Sequence, residues 1–268
     1  MTDHYFDERA VRFANNIYGT AKGEIRLAIL WRDLQQHIPW LAGGEPKKIL
    51  DVGAGLGHLA IKLAEQGHQI TCVEPSSEMM QQAQKNIVKA IPDNTVRFIE
   101  SALQNLSDHI DEKFDLVICH AVLEWLAKPE LAIASLTQWL KTEAYLSLMV
   151  YNLNGIVMRN LVRGNFRKIK TGEFYGDQRG LTPAHPLSPE MVETWLADAP
   201  LRVIQQSGIR VVYDYLTRAL ANERSIEDII EMEMQFSVQA PYNRLGRYTH
   251  WLCQAQTEKS SVIRHNMA

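Results

Sequence analysis

Cysteine is scarce in this chain: 268 residues contain three, Cys72, Cys119 and Cys253, widely spaced and set in apolar runs. That pattern excludes a disulfide framework and a CxxC-type metal site, so a reduced, cytoplasmic protein without a metal is expected. Long hydrophobic runs are also missing. No stretch approaches the roughly 18 apolar residues of a membrane span, and the amino terminus, MTDHYFDERAVRF, is charged where a secretion signal would be apolar. The expectation is a protein with no membrane attachment and an uncleaved amino terminus. Nor is there an excess of charge of one sign. A formal charge of −3 gives no global attraction to a polyanion, so contact with nucleic acid requires a local basic patch. Apolar residues make up 46%, enough for one substantial core in a single domain.

From Lys48 to Val150 short apolar runs alternate with helix-like stretches, the pattern of parallel strands joined by crossover helices. Strands are predicted at Ile49–Val52, Ile70–Glu74, Val96–Glu100, Leu116–Cys119 and Ala144–Val150, with helices at Leu59–Gln66, Ser77–Ala90 and Glu130–Leu140. Ser188-Pro189-Glu190 carries the signals of a helix start, a capping serine followed by proline and an acid. Strands are predicted at Val203–Ser207, Ile209–Tyr213 and Tyr248–Ala255, around a helix from Ile226 to Gln239. The organisation expected is one domain. A helical cap occupies residues 1–45, a binding core 46–151, a basic excursion 152–189, and helices with closing strands 190–268. The excursion breaks the βα rhythm and reads as a lid or binding loop.

The run Ile49-Leu50-Asp51-Val52-Gly53-Ala54-Gly55-Leu56-Gly57 puts three alternate glycines between a strand and a helix, where backbone can approach a ligand closely. A dinucleotide turn has its last glycine one residue later, but that position is His58, which disfavours NAD or FAD. Glu74 ends the next strand, where a carboxylate can accept from ribose hydroxyls. The alternative for Glu74 is a capping role at the turn Pro75-Ser76-Ser77.

LDVGAGLGHLA, CVEPSSEM and FDLVICHAVLEWL together resemble the motifs of class I S-adenosylmethionine (AdoMet)-dependent methyltransferases. The resemblance implies a Rossmann-like, doubly wound, mostly parallel seven-stranded sheet. It also implies cofactor contacts from Asp51, Gly53, Ala54, Gly55, Glu74, Ala102, Leu103 and His120. For His120 the alternative is a histidine hydrogen-bonded beside the sheet. More distinctive are NNIYGTAKGEIRLAILW (15–31), HAVLEW (120–125), SLMVYNLNG (147–155), RGNF (163–166) and LGRYTH (245–250). These are similar to the bacterial tRNA 5-carboxymethoxyuridine methyltransferase family, which esterifies a carboxylate on a modified wobble uridine. Ala54 and Glu74 depart from that family's glycine and aspartate.

The resemblance implies the anticodon region of tRNA as partner, with no DNA. A carboxylate is already ionised at neutral pH, so ester formation needs alignment and orienting cations but no general base. Consistent with that, the chain has no Asp/Asn-Pro-Pro-aromatic tetrapeptide and no Pro-Cys nucleophile. Tyr18, Arg26 and Tyr151 are the candidate positioning residues, with Arg26 suited to clamp the cofactor's methionine carboxylate. Arg159, Arg163, Arg167, Lys168 and Lys170 lie within twelve residues with no intervening acid and with Phe166 among them. With Arg210 and Arg247 they are the candidate RNA contacts. The alternatives are a small-molecule O-methyltransferase of the same fold, a relative handling carboxy-AdoMet, and a non-catalytic AdoMet-binding module.

Overall fold

The computed structural model describes residues 20–92, 96–174, 183 and 186–256. Among these, strands β1 (Lys48–Val52), β2 (Gln69–Val73), β3 (Arg97–Ile99), β4 (Phe114–His120), β5 (Leu140–Tyr151), β6 (Leu201–Ile209) and β7 (Tyr248–Ala255) form one sheet. Its order is β3-β2-β1-β4-β5-β7-β6. β1 to β5 are mutually parallel, and β7 runs antiparallel to both β5 and β6. The helices are α1 (Ala21–His37), α2 (His58–Glu65), α3 (Ser77–Ala90), α4 (Ala132–Thr137), α5 (Leu153–Val162), α6 (Phe166–Thr171), α7 (Pro189–Ala197), α8 (Arg218–Glu223) and α9 (Ile226–Phe236).

The strands read as continuous apolar runs because both faces are covered. Side chains alternate across the sheet: Ile49, Leu116 and Ile118 join Leu34, Leu63 and Ile87 of α1, α2 and α3 on one side. Leu50, Val117 and Cys119 join Ile133, Leu136, Val192 and Leu196 of α4 and α7 on the other. Ser76 and Ser188 cap α3 and α7, accepting from the backbone of Met79 and Met191 at 3.3 and 3.2 Å. Cys72, Cys119 and Cys253 are all buried and free, and burial pushes the Cys119 thiol well above its usual range, so it serves packing and not nucleophilic attack.

Three expectations are corrected. Val203–Ser207 and Ile209–Tyr213 are not two strands: one ladder against β7 runs from Leu201 to Ile209, and residues 213–215 form a 3₁₀ turn. The helix expected to reach Leu140 stops at Thr137, because Leu140 already pairs with Phe114 and begins β5. The start of the 152–189 excursion is helical. Asn152 caps α5 by accepting from the Asn154 amide at 3.0 Å, while its own amide donates to the carbonyls of Arg244 and Gly246. Gly155 in its first turn is there for packing, since a Cβ would lie 2.2 Å from the Gly246 carbonyl oxygen.

Candidate active site

The sheet order reverses direction at β1, so the loops leaving β1 and β4 part and open a crevice at the carboxyl edge. There the chain turns through Gly53, Gly55 and Gly57 at φ of 72°, 58° and 77°, left-handed values that side chains resist. A Cβ on Gly53 would also stand 2.3 Å from Val122 Cγ2. The amides of Gly53 and Ala54 donate to Val73 O at 2.8 and 3.0 Å, tying the turn to β2. Glu74 follows directly and is buried; its Oε2 accepts from Gly55 N at 3.1 Å and its Oε1 from Ser76 N at 3.2 Å. The carboxylate is thus locked between the glycine turn and the cap of α3, on the wall of the crevice. Burial, and then the charge of Glu74, push the Asp51 carboxyl up to about 7. Two buried acids and a glycine cradle suit a ligand with vicinal hydroxyls and positive charge, which AdoMet has.

One cavity gathers Arg26, Asp51, Gly53, Ala54, Gly55, Glu74, Ala102, Leu103, His120 and Tyr151. These candidates come from α1 and from the ends of five neighbouring strands. Ala102 and Leu103 lie at the β3 end, and Tyr151 lies at the β5 end beside Tyr248 of β7. Tyr18 lies outside the described residues.

His120 lines the cavity, and its Nε2 lies 2.8 Å from Ser147 Oγ, the hydrogen bond beside the sheet offered as its alternative. Ser147 Oγ is in turn 2.9 Å from His250 Nε2, and His250 Nδ1 is 2.7 Å from Asp33 Oδ2. Burial opposes ionisation of Asp33, but its bond to His250 and the charges of His250 and Arg32 outweigh it and hold the carboxyl below its usual range. The anchored carboxylate fixes the His250 ring, and the serine hydroxyl joins the two imidazoles. Burial pushes His120 well below its usual pKa, so it is a neutral ring held in one orientation.

Comparison with known proteins agrees with this geometry. The methyltransferase-domain family matches residues 50–148. The tRNA 5-carboxymethoxyuridine methyltransferase of Escherichia coli K12 is 38% identical over 263 residues, covering 98% of this chain and 100% of that protein. The chain belongs to that family. It is a class I AdoMet-dependent methyltransferase. Malonyl-[acyl-carrier protein] O-methyltransferase of Halalkalibacterium halodurans is 34% identical over 112 residues, 39% of each chain. In fold, the magnesium protoporphyrin IX methyltransferase of Synechocystis PCC 6803 with bound S-adenosylhomocysteine superposes with a TM-score of 0.59 at 18% identity, covering 94% of this chain and 97% of that one.

Sequence reasoning missed Glu124, which this methyltransferase buries in the cavity wall. Its Oε1 accepts from Tyr151 N at 3.0 Å, and its Oε2 has no hydrogen-bond partner among the described residues. Burial pushes its carboxyl up to about 7. The signal was an acid within the apolar run Val122-Leu123-Glu124-Trp125-Leu126. Between its ordinary 4.5 and about 7 the folded protein holds a proton that the unfolded chain has lost, so stability falls as pH rises through that window. Glu124→Gln in the ligand-free protein should be more stable than its parent by about 3 kcal/mol at pH 8 and equal to it near pH 4, measured by denaturant unfolding.

The basic residues separate into two groups. Arg163, Arg167, Lys168 and Lys170 are exposed at the end of α5 and along α6, beside Phe166, 57% exposed, and Val162, 60% exposed. Arg210 and Arg247 instead pair with buried Asp214, at 3.0 and 3.1 Å, and the charge of Arg159 acts on the same carboxyl. Arg244 is engaged elsewhere, with Glu190 at 3.1 Å and Glu193 at 2.9 Å.

Proposed function

We propose that this protein methylates the carboxylate of 5-carboxymethoxyuridine at the wobble position of tRNA, giving the methyl ester, and does so in the cytoplasm. The observation that carries this reading is the 38% identity running the full length of the Escherichia coli enzyme of that name, well beyond the shared cofactor core. Bound in the cavity, AdoMet supplies a methyl carbon on a sulfonium, and its transfer to a carboxylate oxygen leaves the S–C electron pair on sulfur and moves no proton.

The chain's own task is then to position and to exclude water, which supplies up to about 7 to 11 kcal/mol of the barrier. Glu74 takes the ribose hydroxyls, Ala102 and Leu103 flank the adenine, and Gly53, Ala54 and Gly55 pass beneath the methionine portion with Asp51. His120 faces the cofactor. Arg26, buried on α1 with its guanidinium 5.5 Å from the centre of the Tyr248 ring, clamps the methionine carboxylate. Tyr151 positions the acceptor. Arg26→Ala should raise the KM for AdoMet about tenfold or more, the worth of a charge-assisted pair, while tRNA affinity stays constant. An equal loss of tRNA affinity would move Arg26 to the RNA interface.

The exposed cations of α5 and α6, with an exposed phenylalanine among them, favour a nucleic-acid partner over a small metabolite. Among the described residues no helix is long and apolar enough to cross a membrane. The function is tested by supplying methyl-labelled AdoMet with bulk tRNA and, separately, with a metabolite extract. Label in tRNA supports the proposal; label only in the extract supports the metabolite enzyme, and label in neither a binding module.

A further inference from the structure

The hydrogen-bonded chain behind His120 starts on α1 and crosses β7, β5 and β4 in sheet order, and the order of its protons follows from its buried end. Arg32 Nε and Nη2 both donate to Asp33 Oδ1, at 3.0 and 2.6 Å, and the other oxygen, Oδ2, faces His250 Nδ1 at 2.7 Å. A carboxylate only accepts, so the His250 proton is on Nδ1. Asp33 and His250 are both fully buried, and Arg32 already matches the carboxylate's charge. A second proton on His250, which would help hold Asp33 ionised in acid, would at neutral pH leave an uncompensated charge in that site. The His250 ring is therefore neutral there, with Nε2 bare.

Ser147 Oγ bridges the two rings, 2.9 Å from His250 Nε2 and 2.8 Å from His120 Nε2. One hydroxyl has one proton. The bare His250 nitrogen takes it, so His120 Nε2 must bring its own proton to the serine oxygen. His120 lines the cavity, and with Nε2 engaged its Nδ1 is the ring nitrogen left for a ligand; it has no hydrogen-bond partner among the described residues. The chain thus delivers an acceptor to the cavity at the end of β4. With adenine at the β3 end and ribose at Glu74, the methionine end of AdoMet reaches β4, and its donor is the α-ammonium group.

We propose that Asp33, His250 and Ser147 are positioning residues of the cofactor site, which keep the His120 proton on Nε2 so that Nδ1 accepts a hydrogen bond from the AdoMet ammonium. The inference rests on AdoMet lying in the cavity with His120 facing it. An Nδ1–H in the same place would set donor against donor, beside the ammonium and sulfonium charges.

Asp33→Asn keeps the shape of the side chain and reverses the chain. The two Arg32 bonds to Oδ1 require the asparagine carbonyl there, so the amide nitrogen takes the Oδ2 position and donates to His250 Nδ1. His250 then carries its proton on Nε2, Ser147 donates to His120, and His120 becomes the Nδ1–H tautomer. The same replacement gives the wrong tautomer in the Ser-His-Asp triad.

Proton–nitrogen correlation spectra of the histidine rings, assigned through the backbone, read the tautomer in the ligand-free protein. His120 should be protonated on Nε2 in the natural protein and on Nδ1 in Asp33→Asn. Titration calorimetry should show AdoMet binding weakened about tenfold or more in the variant. Binding of 5′-methylthioadenosine, which lacks the amino-acid portion, should not change. Should Asp33→Asn fail to fold, Ser147→Ala cuts the chain and should show the same selective loss. A natural protein with His120 protonated on Nδ1, equal losses on both ligands, or no loss on either would overturn the proposal. None of these measurements uses tRNA, so failure of the proposed acceptor leaves them standing, whereas a natural protein that binds no AdoMet would remove their basis.

Discussion

Glu74→Ala is expected to weaken AdoMet binding about ten- to a hundredfold, the worth of two hydrogen bonds to a buried carboxylate. Both Glu74 oxygens are already oriented by the Gly55 and Ser76 amides, so nothing need rearrange when a ribose arrives. The alanine variant removes the acceptor and leaves those two amides exposed to the ligand. Glu74→Asp shortens the reach by one methylene and should bind between the two. Titration calorimetry on the folded variants measures the effect. Unchanged affinity in Glu74→Ala would mean that the carboxylate only fastens the turn to α3.

Replacing Arg163, Arg167 and Lys168 together by alanine should lower tRNA affinity by about a hundredfold at 0.1 M salt, taking three phosphate contacts on a single strand at about 0.7 each in the slope of log affinity against log salt. The slope itself should fall by about 2. AdoMet affinity should not change, because all three side chains are exposed on the α5–α6 segment and do not line the cavity. Filter binding across a salt series gives both quantities. A variant with the natural KM for tRNA at moderate salt would reduce this surface to a solvated face, and the metabolite reading would lead.

What sequence disclosed, it disclosed through local chemistry. The glycine turn between β1 and α2, Glu74 at the end of the next strand and the capping Ser188 are read from short stretches of chain, and the structure has them at those places; Ser76, which caps α3, was not singled out. The relay behind His120 was not legible, because Asp33 and His250 are 217 positions apart and meet only when β7 lies beside β5. The same holds for Asp214, whose carboxylate Arg210 and Arg247 reach from the end of β6 and the start of β7. Arg210 and Arg247 could be named from sequence as cations but not assigned to one face. Local signals also misled: the glycines of 152–189 mark an excursion from the βα rhythm, but the missing side chain of Gly155 admits the Gly246 carbonyl into the first turn of a helix. A tertiary contact overrode a local propensity there.

The central claim is methyl transfer to a carboxylate on tRNA. The direct measurement incubates the purified protein with AdoMet and with tRNA from cells lacking it, digests the tRNA to nucleosides, and follows 5-carboxymethoxyuridine by mass spectrometry. The free acid should disappear as a species one methyl heavier appears, and mild alkali should return it to the acid, as an ester requires. Persistence of the free acid, with a protein that still binds AdoMet and tRNA, would contradict the claim.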